Sequence, residues 1–99
     1  MPKYLFSYHG GRMADTEEAQ QAAMAAWGAW FGELGDAIVD PGNPIGPSTT
    51  VGEGGGNPVT GYSLIEAASL DDAAAKAQGC PVLANGGSVE IGETIAIDM

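Results

Sequence analysis

The chain has 99 residues, of which 44% are hydrophobic, and thirteen acidic against three basic residues give it a formal net charge of −10. This length suits one domain, and we expect residues 1–99 to form it. The acidic balance repels phosphate backbones and anionic lipid surfaces, and no apolar run reaches the length of a membrane span, so we expect neither nucleic acid nor membrane as a partner.

The first predicted element is a β-strand over Pro2 to His9. Side chains alternate along a strand, which places Tyr4, Phe6 and Tyr8 on one face and Leu5 and Ser7 on the other. Both faces are largely apolar, so we expect this strand at the centre of a sheet, with helices on one side and a second layer on the other. That second layer is expected to be another subunit.

A long helix is predicted from Asp15, whose carboxylate is the expected N-cap with Glu18 three residues further on. Gly35 is a natural stop. Apolar residues recur at three- and four-residue spacing and predict one buried face: Ala19, Ala23, Trp27, Trp30, Phe31 and Leu34. We interpret the aromatic cluster as core, and the alternative is the wall of a ligand pocket.

The middle of the chain predicts a short strand over 37–39, followed by a turn over 41–44. A second extended piece is predicted over Ser48 to Val51. The run from Gly52 to Gly61 contains three consecutive glycines and predicts a mobile, exposed loop. It lacks the Gly-Lys-Ser/Thr sequence of a phosphate loop and does not begin a helix, so we do not interpret it as one.

The last third predicts a strand, a helix and a final strand. The strand covers Tyr62 to Ala67, and Ser69 caps the helix with Asp72 as its partner. The final strand is predicted over 89–97, where four β-branched residues alternate with smaller or polar ones. The predicted packing face of the helix is narrow: Leu70, Ala73, Ala74 and Ala77. The resulting βαββαβ order predicts an α+β, ferredoxin-like domain with an antiparallel sheet in the order 4-1-3-2.

Cysteine use and the N-terminus bear on the compartment. Cys80 is the single cysteine, so no internal disulfide is possible, and it has no basic neighbour in sequence to favour a thiolate. We therefore expect a buried, structural thiol. The N-terminus lacks the features of a secretory signal, and we expect a cytoplasmic protein.

The predicted sheet gathers chemistry-bearing residues at one edge. With strand order 4-1-3-2, His9, Asp40, Tyr62 and Ser88 lie at the same edge of the sheet. His9 is the candidate general acid or base, with Asp40 orienting its ring. The alternative is that His9 only hydrogen-bonds a loop carbonyl or the partner subunit.

A small organic ligand is the expected partner of this site. The N–H groups of Gly10 and Gly11 are candidates to hold a carbonyl or an anion. The rest of the predicted ligand pocket is aromatic, with Phe6 beside its candidate binding residues: Tyr8, Trp27, Trp30 and Tyr62. A cationic ligand is a second interpretation of the acidic composition.

We expect no metal site and no cofactor. The chain has one histidine, no cysteine pair and scattered carboxylates, which give no recognisable ligand spacing. A fold alone does not license the assignment of a haem or a flavin-like cofactor.

Three segments carry a resemblance to a known family. The opening residues 3–11, the helix segment 27–35 and the ending, with Gly79-Cys80-Pro81 and residues 87–90, resemble the YCII-related family, particularly its DGPF-type branch. The resemblance covers nearly the whole chain and implies a dimeric α+β barrel, in which two ferredoxin-like subunits pack their sheets together. Better-studied members share a strand-end aspartate and a helix-borne histidine, where this chain has His9 and Met24. That acid–base pair therefore does not carry over.

Three classes of function follow. The first is a small-molecule enzyme that uses acid–base chemistry at a pocket around His9. The second is a non-catalytic binding or regulatory module that uses the same pocket. The third is a dimerisation domain in which these residues only pack.

Overall fold

The computed structural model describes residues 1–11 and 15–97. The predicted element order is confirmed, with an added 3-10 turn at Gly35–Ala37 and a short helix before the last strand. The elements are β1 (Lys3–His9), α1 (Glu17–Leu34), β2 (Ile38–Asp40), β3 (Val59–Glu66), α2 (Leu70–Ala77), α3 (Pro81–Ala84) and β4 (Ser88–Glu93).

The strands form one antiparallel sheet in the order β2-β3-β1-β4, which confirms the predicted order. β1 pairs with β3 on one side and with β4 on the other, so it occupies the interior of the sheet as expected. The fold is therefore α+β and ferredoxin-like.

The core lies between the sheet and the helices. Tyr4, Phe6 and Tyr8 are all buried on the helix-covered face of β1, as their alternation predicts. Ser63 and Ile65 of β3 are buried on the same face. The opposite face includes Leu5, Ser7 and the side chains of β3 and β4 that pair with them, and Leu5 is 41% exposed there. We call it the open face.

Helix α1 buries the predicted face, but its N-cap lies one residue later than predicted. Trp30 is buried, and the other residues of the predicted face are half-buried. The N-cap is Thr16, whose hydroxyl accepts from the N–H of Ala19 at 3.1 Å, and not Asp15. The hydroxyl of Thr16 therefore accepts from a free N–H in the first turn of the helix, which is the role predicted for the Asp15 carboxylate.

The connection between β2 and β3 differs from the prediction. Ala37 belongs to the 3-10 turn, so β2 begins at Ile38. Ser48 to Val51 forms no strand; instead Pro44 makes an isolated bridge with Gly61. β3 begins at Val59, three residues earlier than predicted, because its start pairs with the end of β1.

Helix α2 has the predicted cap and a narrower packing face. The hydroxyl of Ser69 accepts from the N–H of Asp72 at 3.1 Å, while the Asp72 carboxylate accepts from the N–H of Ala68 at 2.9 Å and from Lys76 at 3.2 Å. The Ala68 N–H and then Lys76 lower the pKa of Asp72. Ala73 and Ala77 are buried, but Leu70 is 53% exposed, so its predicted core role is wrong.

β4 is shorter than the alternating pattern predicts. It ends at Glu93, and Ile95 and Ile97 are exposed beyond it. β4 ends before the alternating pattern does, because its pairing partner β1 begins only at Lys3. The Lys3 carbonyl already accepts from the N–H of Thr94, the residue that follows β4, at 2.8 Å.

Cys80 is buried between α2 and α3, as predicted, and burial raises the pKa of its thiol to about 11. Because only the thiolate is nucleophilic, native protein at pH 8 should react with iodoacetamide about 100-fold more slowly than an ordinary thiol. Mass spectrometry across pH 7 to 10 checks this, with urea-unfolded protein as the control. Equal rates in the two states at pH 8 would contradict it.

Candidate functional site

His9 is the last residue of β1 and faces the open side of the sheet. Its side chain lies on the same face as those of Leu5 and Ser7, and it pairs with Ser88 of β4. The residue is 7% exposed even though its face of the sheet is open. Its cover comes from the loop that precedes β3, because a register shift between Tyr8 and His9 brings that loop over the strand end.

The Nδ1 atom of His9 is held by this loop. It lies 2.9 Å from the carbonyl oxygen of Asn57 and 3.2 Å from that of Pro58. Carbonyl oxygens only accept, so Nδ1 donates and carries a proton in this arrangement. A loop-carbonyl bond, expected from the purely structural interpretation of His9, is therefore present.

The other ring nitrogen faces a carboxylate. Nε2 lies 3.2 Å from Oε1 of Glu90, whose side chain is 77% exposed. The contact has ion-pair distance but lacks hydrogen-bond direction, and buried Nε2 has no hydrogen-bond partner among the described residues. A neutral imidazole has one ring proton, and the two carbonyls place it on Nδ1, so Nε2 of a neutral ring holds a lone pair. In the cationic ring both nitrogens carry a proton.

Asp40 does not make the predicted contact with His9. Its carboxylate accepts from the N–H of Gly42 at 2.9 Å and shapes the turn after β2. β3 separates β2 from β1 in the sheet, so the end of β2 is not next to the end of β1. The carboxylate against His9 comes from the neighbouring strand β4, as Glu90.

The aromatic residues predicted to surround His9 lie on the other side of the sheet. Tyr8 contacts Trp27 and Trp30 with ring centroids 5.0 and 6.3 Å apart, and Phe6 stacks on Trp30 at 6.3 Å. These rings fill the space between β1 and α1, so the predicted pocket that joins them to His9 is wrong. Adjacent residues of a strand point to opposite faces, which separates Tyr8 from His9.

The phenol of Tyr8 belongs to a buried hydrogen-bonded chain. It donates to the hydroxyl of Ser63 at 2.7 Å, and that hydroxyl donates to the carbonyl of Pro41 at 2.7 Å. Burial raises the pKa of Tyr8, so the phenol stays protonated across the ordinary pH range. Its role in the structure is to tie β1 through β3 to the turn after β2.

Tyr62 lies on the open face, where it pairs with Ser7 and accepts a 3.3 Å hydrogen bond from the side-chain amide of Asn43. Gly10 and Gly11 follow His9 with positive φ of 68° and 87°. They pass close to Gly87, the residue before β4, because a Cβ at Gly87 would lie 2.9 Å from the backbone nitrogen of Gly11. Their role as N–H donors to a ligand stays a prediction.

A shallow groove of about 310 Å³ lies on the open face beside Glu90. Its floor includes Leu5 and Gly92, and Glu90 and Ser7 contribute polar side chains to it. Glu93 and Thr94 also border the groove, but the carboxylate of Glu93 accepts from the phenol of Tyr4 at 3.4 Å on the helix-covered face. The groove and His9 share Glu90, so a molecule in the groove reaches the carboxylate that faces Nε2. Sequence reasoning missed this groove, because the pairing of Glu90 with Ser7 depends on the register of β4 against β1 and not only on the strand order.

A second, larger groove of about 760 Å³ runs between α1 and the α2–α3 connection. Alanines of α1 form most of one wall, and Trp30 and Cys80 contribute to it. The Trp30 indole N–H already donates to the carbonyl of Lys76 at 3.1 Å. The lining of this groove also includes the polar side chains of Asp15, Glu33, Gln78 and Asn85. We place the candidate site at His9 and Glu90, where an imidazole and a carboxylate lie 3.2 Å apart.

Within residues 1–11 and 15–97, no three His, Cys, Asp or Glu side chains are grouped as a bound metal ion would require. The described helices include none with the length and apolar character needed to cross a bilayer.

The fold and site define a ferredoxin-like α+β domain with a histidine–carboxylate pair on its open sheet face. No protein-family model matches the sequence, and no curated protein matches it in sequence. A solved structure with a similar fold is 5-chloro-2-hydroxyhydroquinone dehydrochlorinase from Burkholderia phenoliruptrix AC1100, in complex with 2,5-dihydroxybenzoquinone. It is 19% identical, with a TM-score of 0.55, over 89% of this chain and 90% of that one. The likeness is one of fold.

Proposed function

We propose that this protein is a small-molecule enzyme in which His9 and Glu90 transfer a proton on the open face of the sheet. The observation that supports it is the arrangement of the imidazole: Nδ1 donates to two loop carbonyls, and Nε2 lies 3.2 Å from a carboxylate. An imidazole with one nitrogen fixed as donor presents the other as the proton-transferring atom.

Glu90 suits the second part of this pair. Its exposed side chain lines the groove, and its Oε1 lies 3.2 Å from Nε2 of His9. The carboxylate then stabilises the imidazolium that forms when His9 accepts a proton, as an orienting carboxylate does in other acid–base sites. Asn57 and Pro58 hold the ring so that this atom stays directed at Glu90.

The fold neighbour is consistent with a ring-sized substrate. Its name describes dehydrochlorination of a hydroxylated ring, and its structure holds a dihydroxybenzoquinone. For this chain we propose only the class, a small organic molecule with a transferable proton. The alternative is the non-catalytic module, which uses the same groove for binding without turnover.

The proposal includes a homodimer of the dimeric α+β barrel type and membership of the YCII-related family. Leu5 and its partner Leu64 present apolar surface on the open face, which a second sheet would cover. In that assembly the groove beside Glu90 is enclosed between two subunits, and water is excluded from it.

The test uses the single histidine of the chain as its reporter. A set of single-ring phenols, quinones, ketones, amines and carboxylates is titrated while the ring signals of His9 are followed by NMR. Compounds that shift these signals are then incubated with the enzyme in D₂O, and deuterium uptake at carbon is measured. We expect His9→Gln to slow uptake by about 100-fold or more, because a positioned acid or base contributes about 10²- to 10⁴-fold.

Asp40→Asn is the matched control, since it removes a carboxylate of the same sheet that bonds to Gly42 instead of His9. Its uptake rate should equal that of the unmodified protein. Binding without any deuterium uptake favours the non-catalytic module. If no compound in the set moves the His9 signals, the proposed site is wrong.

A further inference from the structure

β4 is an edge strand of the sheet, and among the described residues it pairs only with β1. The N–H of Thr94 donates to the Lys3 carbonyl at 2.8 Å, and hydrogen-bonded pairs alternate along an antiparallel ladder. The N–H and C=O groups of Val89, Ile91 and Glu93 therefore point away from β1, to the outer side of the sheet. A strand edge of this kind is a template for another extended segment.

The two edges of the sheet differ in their protection against such pairing. The other edge strand, β2, has three residues and a register shift against β3, and Pro41 follows it directly. Short edges, irregular pairing and proline all oppose the addition of a strand. Residues 88–97 contain no proline, lysine or arginine, and β4 pairs with β1 without a register shift. The sheet is thus protected at β2 and unprotected at β4.

The side chains of β4 also leave room for a neighbour. β1 and β3 both contain buried residues, whereas no residue of β4 is buried. Val89 and Ile91 are only half-buried under the helices, and beyond the strand Ile95 and Ile97 continue the same alternation at 79% and 72% exposure. We call these four residues the apolar row. A strand beside β4 would cover it, because side chains of paired strands lie about 5 Å apart on one face.

The charge of this edge distinguishes between occupants. From position 77 onward the chain has three acidic residues and no lysine or arginine, and the whole chain carries a formal charge of −10. Glu90 and Glu93 are both exposed on β4. A second copy of β4 would place two acidic strands side by side, which like-charge repulsion opposes, whereas a basic segment is complementary in charge.

We propose that the outer edge of β4 binds an extended, basic segment of a partner protein as a fifth strand. Its backbone pairs with Val89, Ile91 and Glu93, its apolar side chains cover the apolar row, and its lysine or arginine side chains lie beside the two carboxylates. In strand addition the main-chain hydrogen bonds give affinity and the alternate side chains give specificity. This binding activity goes beyond the proposed proton transfer and does not depend on it.

Three capped heptapeptides test it on the unmodified protein in its native assembly. The first is Val-Thr-Lys-Thr-Val-Lys-Val, the second is the same peptide N-methylated at its first, third, fifth and seventh residues, and the third has glutamate in place of both lysines. The first peptide should bind saturably and slow the amide hydrogen exchange of Val89, Ile91 and Glu93 by at least about tenfold, because these N–H groups gain hydrogen-bond partners. NMR of ¹⁵N-labelled protein measures both.

The other two peptides separate the backbone from the charge. The N-methylated peptide keeps every side chain but cannot pair along β4, so it should not bind. The glutamate peptide keeps the backbone and should bind at least about tenfold more weakly, because its charge is repelled. Binding of either one as tight as that of the first peptide overturns the proposal, as does a lack of slowed exchange with the first.

Two pairs of variants place the peptide on this edge. Glu93→Pro and Glu93→Thr both remove the carboxylate, but only proline removes the outward N–H, which β1 does not use, so Glu93→Pro should bind the first peptide at least about tenfold more weakly than Glu93→Thr. Ile95→Ser should weaken binding about fivefold, whereas Val51→Ser truncates a 95% exposed side chain between β2 and β3 and should leave it unchanged. Equal affinities within either pair overturn the proposal.

Self-pairing of the edge gives a different result. Exchange at Val89, Ile91 and Glu93 that slows with rising protein concentration, without any peptide, means that a second copy occupies the edge, and this overturns the proposal. The outcome is also separate from the proton transfer. Peptide binding without deuterium uptake at carbon supports this inference and not the acid–base role, and uptake without peptide binding does the reverse.

Discussion

Phe6→Ala should destabilise the domain by about 4 kcal/mol, a cost typical of truncating a buried aromatic residue. Phe6 is fully buried at the centre of β1, stacks on Trp30 with an interplanar angle of 28°, and lies opposite Ser63 of β3 and Ile91 of β4. Its removal leaves a cavity that two neighbouring strands and α1 cannot close without breaking their own pairing.

The expected result is a fall of Tm by about 20 °C, since 1 kcal/mol corresponds to about 4–8 °C in a domain of this size. Thermal unfolding followed by circular dichroism measures it. Leu70→Ala is the control, because Leu70 is 53% exposed on α2 and its truncation should cost less than about 1 kcal/mol. Similar Tm values for the two variants would contradict the assignment of the core to the β1–α1 interface.

The same strand shows why the fold was predictable from the sequence. Period-two alternation from Tyr4 to Tyr8 and period-three-to-four spacing from Ala19 to Leu34 are local signals, and each is read within one element. The order of elements then restricts the sheet to few topologies, so the central position of β1 follows. These signals predicted the architecture and the buried faces correctly.

Element ends were less predictable because several neighbouring residues satisfy the same physical need. Asp15 and Thr16 both provide an oxygen for a helix start, and only the path of the chain decides between them. Ile95 and Ile97 continue the alternation of β4, but a strand lasts only as long as its neighbour, and β1 begins at Lys3.

The site depended on pairings that no local pattern records. His9 was recognised because it is the single histidine at a strand end. Its carboxylate partner follows from the register of β1 against β4, which places Glu90 opposite Ser7 and diagonally next to His9. A prediction from the shared edge alone favoured Asp40, since it ignored that β3 lies between the two strands.

The sequence also encodes the face of the sheet on which each side chain of a strand lies. Alternation already placed Tyr8 and His9 on opposite faces, whereas the predicted pocket combined them. The aromatic rings form the core on one face, and His9 and Glu90 lie on the other face, which has less apolar cover. The candidate site is therefore tied to whatever covers the open face.

Leu64→Glu tests that cover and should convert a dimer into a monomer. Leu64 lies opposite Leu5 on the open face, while its neighbours Ser63 and Ile65 are buried on the helix side. In a two-fold symmetric interface the substituted carboxylate appears in both subunits, and desolvating two like charges opposes association. The folded chain itself should lose little stability, because the new side chain points away from its core.

Light scattering coupled to size-exclusion chromatography should give twice the 10.0 kDa chain mass for the unmodified protein and one chain mass for Leu64→Glu. Val51→Glu is the control: it adds the same charge at a side chain that is 95% exposed, and it should stay dimeric. A monomeric unmodified protein would contradict the barrel assembly. A dimer that survives Leu64→Glu would place the interface on the helical side and leave the groove beside Glu90 open to solvent.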